Sequence, residues 1–444
     1  MPGYSLKKTI LLFLFFLSSY LLSFGQKKVI LDTDPSADPD DVGCMAMLHN
    51  MASMGECEIL GMINSTHYKQ SSLSISSINN FYNRRAIPVG DYKGYAEKIE
   101  APKNNYDYHL ARVYPKSINS WKEALDGVRL YREILASAED HSITIVVIGT
   151  MHNFYDLLRS PADTYSELEG VDLVEKKVEQ VVTMGGNFIE GKGYDRTNWG
   201  GAEQLCEYTE WSCLNEERNR MCRYVIENCP SPFMASGWEV GCGDYYEANY
   251  GNVMTGQRLK ELDSTHILRR SYEYHFMTRR ETEDISRHSN DQCALHYAIR
   301  GEGPNYKAFG GGKIKLSSRG VCSWEKAAGN QQGFIQKKRH KDSIALEIEN
   351  LMMYQAPVQE LSRPTIPQNV TISKKKISWQ AAHDTSPGNW VVGYNVYQNE
   401  VQLTTTYGTQ LFVEALKLEE GKPIEIRALS ASGVESESTW IDLE

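Results

Sequence analysis

The chain has no Cys-x-x-Cys pair, so the ligand spacing of a structural zinc site is missing. It has no long basic run. Lys374-Lys375-Lys376 and Lys337-Lys338-Arg339 read as solvated loops, and 57 acidic against 47 basic residues leave a net charge of −10. That balance excludes a nucleic-acid or anionic-membrane partner. Past the N-terminus no segment is apolar enough to cross a membrane, and no cysteine lies near residue 25 to carry a lipid. What the N-terminus does have is Lys7-Lys8, the apolar run Thr9 to Leu17, and small or polar residues up to Gly25-Gln26. This is the pattern of a signal peptide spanning 1–25, and it predicts an exported protein, periplasmic or secreted, with no membrane insertion after cleavage. The nine cysteines are odd in number and five fall between 206 and 242. One or two disulfides are expected there.

With 444 residues and 41% hydrophobic content, two domains with a substantial core are expected. The densest chemistry is Asp32-Thr33-Asp34-Pro35-Ser36-Ala37-Asp38-Pro39-Asp40-Asp41, five carboxylates in ten residues. It follows the apolar Val29-Ile30-Leu31 and precedes Val42, Met45, Leu48 and Met51 at helical spacing. A strand-to-helix junction in a parallel sheet lies at a ligand-binding strand end. Five carboxylates in one turn need a cation, strong hydrogen bonds or raised pKa values to coexist, and a hard divalent cation supplies the simplest answer. Asp40 or Asp41 alone would serve as a helix cap; five together point to a metal or catalytic site.

Downstream, Glu58 to Asn64 reads as a strand, 71–84 as a helix, and Ile87 to Gly90 as a short strand. Residues 91–120, rich in Tyr, Asn, Lys and Pro, read as an irregular excursion. A helix over 126–138 is followed by Ile143 to Ile148, the wholly apolar, β-branched run of a buried parallel strand. Val181 to Met184 is another, ending in Gly185-Gly186-Asn187; 222–227 reads as helix and 231–237 as strand then loop. Alternating strands and helices predict an α/β fold with a mostly parallel sheet flanked by helices. Residues 355–367 hold three prolines and read as a linker. Beyond them, 370–372, 377–379, 391–397, 410–413 and 424–428 are short strands at regular spacing, as in a small all-β immunoglobulin-like sandwich. Trp379, the Gly393-Tyr394-Asn395-Val396-Tyr397 strand and Ser432 to Ser436 resemble a fibronectin type III domain over 368–444.

The acidic stretch combines with Ile148-Gly149-Thr150-Met151-His152-Asn153, Val182 to Phe188, Ala235 to Gly241 and Ser289-Asn290-Asp291-Gln292-Cys293-Ala294. In this order the motifs resemble the inosine–uridine-preferring nucleoside hydrolase family over residues 26–354. The resemblance implies hydrolysis of a ribonucleoside N-glycosidic bond by a Ca2+-activated water. It makes Asp34 general base and metal ligand, adds Asp41, Asp291 and the His152 carbonyl as ligands, and gives Asp40 a catalytic contact to a ribose hydroxyl. Met184, Asn187 and Glu210 would line the ribose pocket, with Asp32 and Asp38 orienting the ligands. Ser36 and Ser212 depart from the family's Gly and Asn. Asn290 stands where purine-cleaving members carry a His acid, and nearby His288 reads as a surface histidine. Catalytically weak Ca2+-dependent sugar or nucleoside binding is the competing expectation. A homo-oligomer, and a protein or glycan contact through the C-terminal domain, are compatible with the sequence.

Overall fold

The structure, a computed structural model, describes residues 26–189, 193–196, 198–207, 213–243, 251–280, 282–357, 361–373, 376–413, 416–419 and 421–442. The expected signal peptide and the candidate Glu210 lie outside these residues.

Ten strands form one sheet in the order β11-β10-β12-β7-β6-β5-β1-β2-β3-β4. They are β1 (Lys27–Thr33), β2 (Cys57–Asn64), β3 (Val89–Asp91), β4 (Leu125–Asp126), β5 (Ile143–Val147), β6 (Val178–Met184), β7 (Phe233–Ser236), β10 (Tyr306–Leu316), β11 (Cys322–Lys326) and β12 (Gln332–Lys337); β8 (Met254–Thr255) and β9 (Arg287–His288) form a separate two-stranded ribbon. The pairings from β4 through β1 to β7 and β12 are parallel; β10 and β11 add an antiparallel hairpin at one edge. Between the strands run helices Asp40–Ser53, Lys69–Phe81, Gly127–Ser137, His152–Leu158, Gly170–Lys177, Glu216–Asn228 and Asn290–Arg300.

Alternation along β1 sorts the core. Val29 and Leu31 pack with Val42, Met45, Leu295 and Ile348 on one face, while Ile30 packs with Leu130, Phe154 and Val225 on the other. Both faces are covered, which is why β1 and β5 read as continuous apolar runs rather than alternating ones. The chain winds from β1 outward through β2, β3 and β4, then returns to β5 on the other side of β1. That reversal opens a crevice beyond the carboxyl ends of β1 and β5.

The excursion 91–120 is not wholly irregular: it contains the helix Tyr106–Val113, whose Tyr106, Asp107, Leu110 and Ala111 are buried. In the 206–242 segment Cys206 and Cys213 form a disulfide, Cys222 and Cys229 remain thiols, and Cys242 Sγ lies against His288. No described helix is long and apolar enough to cross a membrane.

The C-terminal strands form two antiparallel sheets. One is β13 (Gln368–Ser373), β14 (Lys376–Gln380) and β17 (Gln410–Phe412). The other is β16 (Val401–Thr406), β15 (Val391–Gln398), β18 (Ile424–Ser430) and β19 (Thr439–Ile441). Ile377, Trp379, Tyr394, Val396, Ile424 and Ile426 fill the sandwich between them. This sandwich is docked against the α/β sheet. Trp390 Nε1 donates to the Ile59 carbonyl at 3.1 Å, and Trp390, Val392 and Ala431 belong to the α/β core. Arg84 reaches Ser53 Oγ (2.8 Å) and the Gly388 carbonyl (3.0 Å), and Glu133 accepts from Thr406 Oγ1 and Tyr407 N, both 2.8 Å. Ile59 lies near the start of β2 and Ala86, bonded to Ala431, just before β3. The sandwich therefore covers the amino-terminal edge of the sheet, opposite the crevice.

Candidate functional site

β1 delivers Asp32 and Thr33 fully buried, and the chain then turns through two prolines into the helix Asp40–Ser53. Pro39 is its N-cap and provides no side-chain cap, so Asp40 and Asp41 in the first turn complement the positive end of the helix. Their carboxylates meet that of Asp291, from the first turn of Asn290–Arg300, and one oxygen from each lies within 4.8 Å of the others. Burial pushes all three carboxyls well above the usual range, and mutual repulsion adds to it.

Asp34 is not in that trio. Its backbone N–H donates to Asp41 Oδ1 at 3.1 Å, and Thr33 Oγ1 reaches the same oxygen at 2.5 Å. Burial raises the Asp34 carboxyl to about 6 against the pull of Arg218, a cation in the first turn of Glu216–Asn228. The structure thus puts Asp40 beside Asp41 and Asp291, where the resemblance put Asp34. Asp32 accepts from Tyr131 Oη (3.2 Å) and Asn153 Nδ2 (3.3 Å), which ties the end of β1 to two helices. Asp38 pairs with Arg287 through Nε at 2.7 Å and through Nη2. Burial would raise Asp38, but the Arg287 guanidinium outweighs it and holds the carboxyl far below its ordinary value.

Gly149 allows the turns after β1 and β5 to touch: a Cβ there would lie 2.8 Å from Asp34 N. His152 follows at the start of His152–Leu158. Its Nδ1 is 2.8 Å from Thr150 Oγ1, its ring lies beside Tyr92 and Tyr95, and burial, helped by Arg218, lowers it to about 4. The imidazole is therefore neutral at pH 7. Asn187 is fully buried at the end of β6 and its Nδ2 has no partner; Met184, also buried, receives Asn198 Nδ2 on its sulfur at 3.3 Å. Asn290 is buried with Oδ1 unpartnered. His288 is not the surface histidine expected: it is half-buried, with Nδ1 2.8 Å from Cys242 Sγ.

Sequence reasoning missed Arg287, Arg218, Asn105 and His275. Asn105 lay inside the stretch read as irregular; Arg218 and His275 have no motif around them, and Arg287 stands just before the Ser289–Ala294 motif with nothing local to mark its partner.

Glu239, after β7, is also buried, with Oε1 accepting from Phe188 N at 3.2 Å and Oε2 unpartnered. Burial pushes its carboxyl up to about 7 from an ordinary 4.5. A raised carboxyl gives stability that is full below its unfolded pKa and is lost as pH rises through the folded one. Glu239→Gln removes this titration. The stability difference between variant and wild type should move in the variant's favour by about 3 kcal/mol from pH 4 to pH 8. Denaturant melts at the two pH values check it; a pH-independent difference would contradict it.

An all-oxygen set of three buried, mutually repelling carboxylates fits a hard divalent cation. The trio could bind a metal ion, and with Asp34 alongside, the crevice can also place a base next to bound water.

No protein-family model matches the chain, and no curated protein does. Solved structures do. A plant nucleoside hydrolase is 15% identical with a TM-score of 0.51, over 74% of this chain and 99% of that one. A purine-preferring ribonucleoside hydrolase from Gardnerella vaginalis is 12% identical with a TM-score of 0.51, over 73% of this chain and 98% of that one. At such identities the likeness is one of fold, and it covers the large sheet and its helices.

Proposed function

We propose that the chain is an exported hydrolase that cleaves the N-glycosidic bond of ribonucleosides, or of a related ribosyl compound, and uses Ca2+. The observation that carries this reading is the buried trio Asp40, Asp41 and Asp291 at the switch point of a fold shared with nucleoside hydrolases. Asp41 and Asp291, with Asp40 or Asp34 and the His152 carbonyl, would hold the ion, which when bound polarises a water and the ribose diol. Asp34 takes the proton from the attacking water. Asp40 orients a ribose hydroxyl, and Asn187 and Met184 close the pocket beneath the sugar. Attack occurs at an anomeric carbon with oxocarbenium character, as in other glycoside cleavages. The proposed organisation is a cleaved leader (1–25), a hydrolase domain (26–354), a linker (355–367) and a fibronectin type III-like domain (368–444). Three- and four-stranded sheets packed face to face support the last assignment.

The test is ribose release by the mature protein from a panel of purine and pyrimidine nucleosides, with and without chelator. Chelator-sensitive release is expected. Absence of turnover on every ribosyl substrate, with Asp34→Ala indistinguishable from wild type, would sink the enzymatic reading. A second reading, a sugar- or nucleoside-binding protein with weak turnover, is favoured by Asn290: no acid faces a leaving base from that position, and His288 is engaged with Cys242. Calorimetric binding without turnover is its signature.

A further inference from the structure

The acidic turn is poor in its own support. Pro35 and Pro39 have no N–H, Asp34 N–H is spent on Asp41, and Asp40 N–H is 3.5 Å from Asp38 Oδ1. Ser36, Ala37 and Asp38 are instead held by side chains from distant segments. Asn105 Nδ2 donates to Ser36 Oγ at 2.8 Å, His275 Nδ1 donates to the Ala37 carbonyl, and Arg287 grips both oxygens of Asp38. Asn105 is itself held by Arg279 Nη1 at 3.1 Å. Of these ties only the Arg287 pair is both two-pronged and charge-assisted, and so fixes direction as well as distance.

We infer that Arg287 is a positioning residue: through Asp38 it sets the register of the acidic turn in which Asp40 meets Asp41 and Asp291. Two effects combine. The fork prevents Asp38 from swinging, and Asp38 leads within two residues into Asp40. The guanidinium also occupies both oxygens of Asp38, which would otherwise be free to compete for the ion. Other residues could fill the space left by the side chain; none could supply both effects. Lysine in particular keeps the charge and loses the fork.

The inference rests on the metal-dependent reading above, but its first readout needs no metal. In metal-free mature protein, Arg287→Lys and Asp38→Asn should each speed amide exchange across residues 34–43 by about 10-fold, with exchange in β5 unchanged. The double variant should be no faster than either single one, because both break the same tie. Titration with Ca2+ should then show about 10-fold weaker affinity for each variant, the usual effect of losing a group that orients a metal ligand. Unchanged exchange in the turn, or losses that add in the double variant, would overturn the inference. If one variant fails to fold, the other attacks the same pair from the opposite segment. Wild-type protein that takes up no Ca2+ would count against the proposed function, while the exchange measurement would still decide the role of Arg287.

Discussion

Asp34→Asn should lower the rate of ribose release by about 10²- to 10⁴-fold, the range of a lost general base. That corresponds to about 3 to 5 kcal/mol of activation free energy. The substitution is nearly isosteric, and the Asp34 backbone N–H that serves Asp41 is kept. What disappears is a carboxylate held in the crevice between Arg218 and the trio. The same change should raise the melting temperature of metal-free protein, because Asp34 is one of the charges that push the Asp41 carboxyl up. Loss of activity with gain of stability is the mark of a site whose charges are assembled for function rather than for folding. Steady-state kinetics and thermal melts on the same preparation check both halves. A variant keeping more than a tenth of wild-type turnover would move the base elsewhere, and Asp40 would be the next carboxylate to replace.

The parts of the molecule legible in the sequence are those that local pattern controls. Val29-Ile30-Leu31 and Ile143 to Ile148 announce central strands because both their faces are buried, and the switch from helical to two-residue period after 367 announces the sandwich. The helix Tyr106–Val113 escaped because its buried face is a tyrosine, an aspartate, a leucine and an alanine among Asn, Lys and Pro. Composition there argues for a loop, and packing against the helix Ile267–His275 decides otherwise. In the site, Asp41 and Asp291 were brought together by the resemblance to nucleoside hydrolases, and they do share one cluster. The choice between Asp34 and Asp40 as their neighbour could not be read from the sequence, because it turns on where the chain leaves the turn and enters the helix. Arg287 was invisible for a different reason: its partner Asp38 lies at the other end of the hydrolase fold in sequence, and no periodicity links an ion pair across that distance. The docking of the sandwich was hidden in the same way. Trp390 reads as an ordinary aromatic next to a sandwich strand, yet it is buried with the α/β core.

Trp390→Ala should destabilise the protein by about 3 to 5 kcal/mol, as for other large-to-small substitutions of buried aromatics. Trp390 is 4% exposed, lies 5.3 Å from the Arg84 guanidinium and donates to Ile59. Its removal leaves a cavity between the two parts of the chain, a β2 carbonyl without that donor, and Arg84 facing the space. Glu133→Ala tests the same interface at its other end, where Thr406 Oγ1 and Tyr407 N lose their acceptor, at about 1 to 3 kcal/mol. If the sandwich docks as a unit, the two losses are not independent: once Trp390 is gone, Glu133→Ala should cost much less than it does alone. Calorimetry should then show two transitions in Trp390→Ala where wild type shows one, as the sandwich and the α/β sheet melt separately. Turnover at temperatures below both transitions should be unchanged, because the interface covers the amino-terminal edge of the sheet and the acidic crevice lies beyond the carboxyl ends of β1 and β5. A single transition within about 1 kcal/mol of wild type would mean that the sandwich merely rests against the sheet. A fall in turnover before either transition would mean that strain at Ile59 travels along β2 to Asn64, whose carbonyl accepts from Asn153 and through it reaches Asp32.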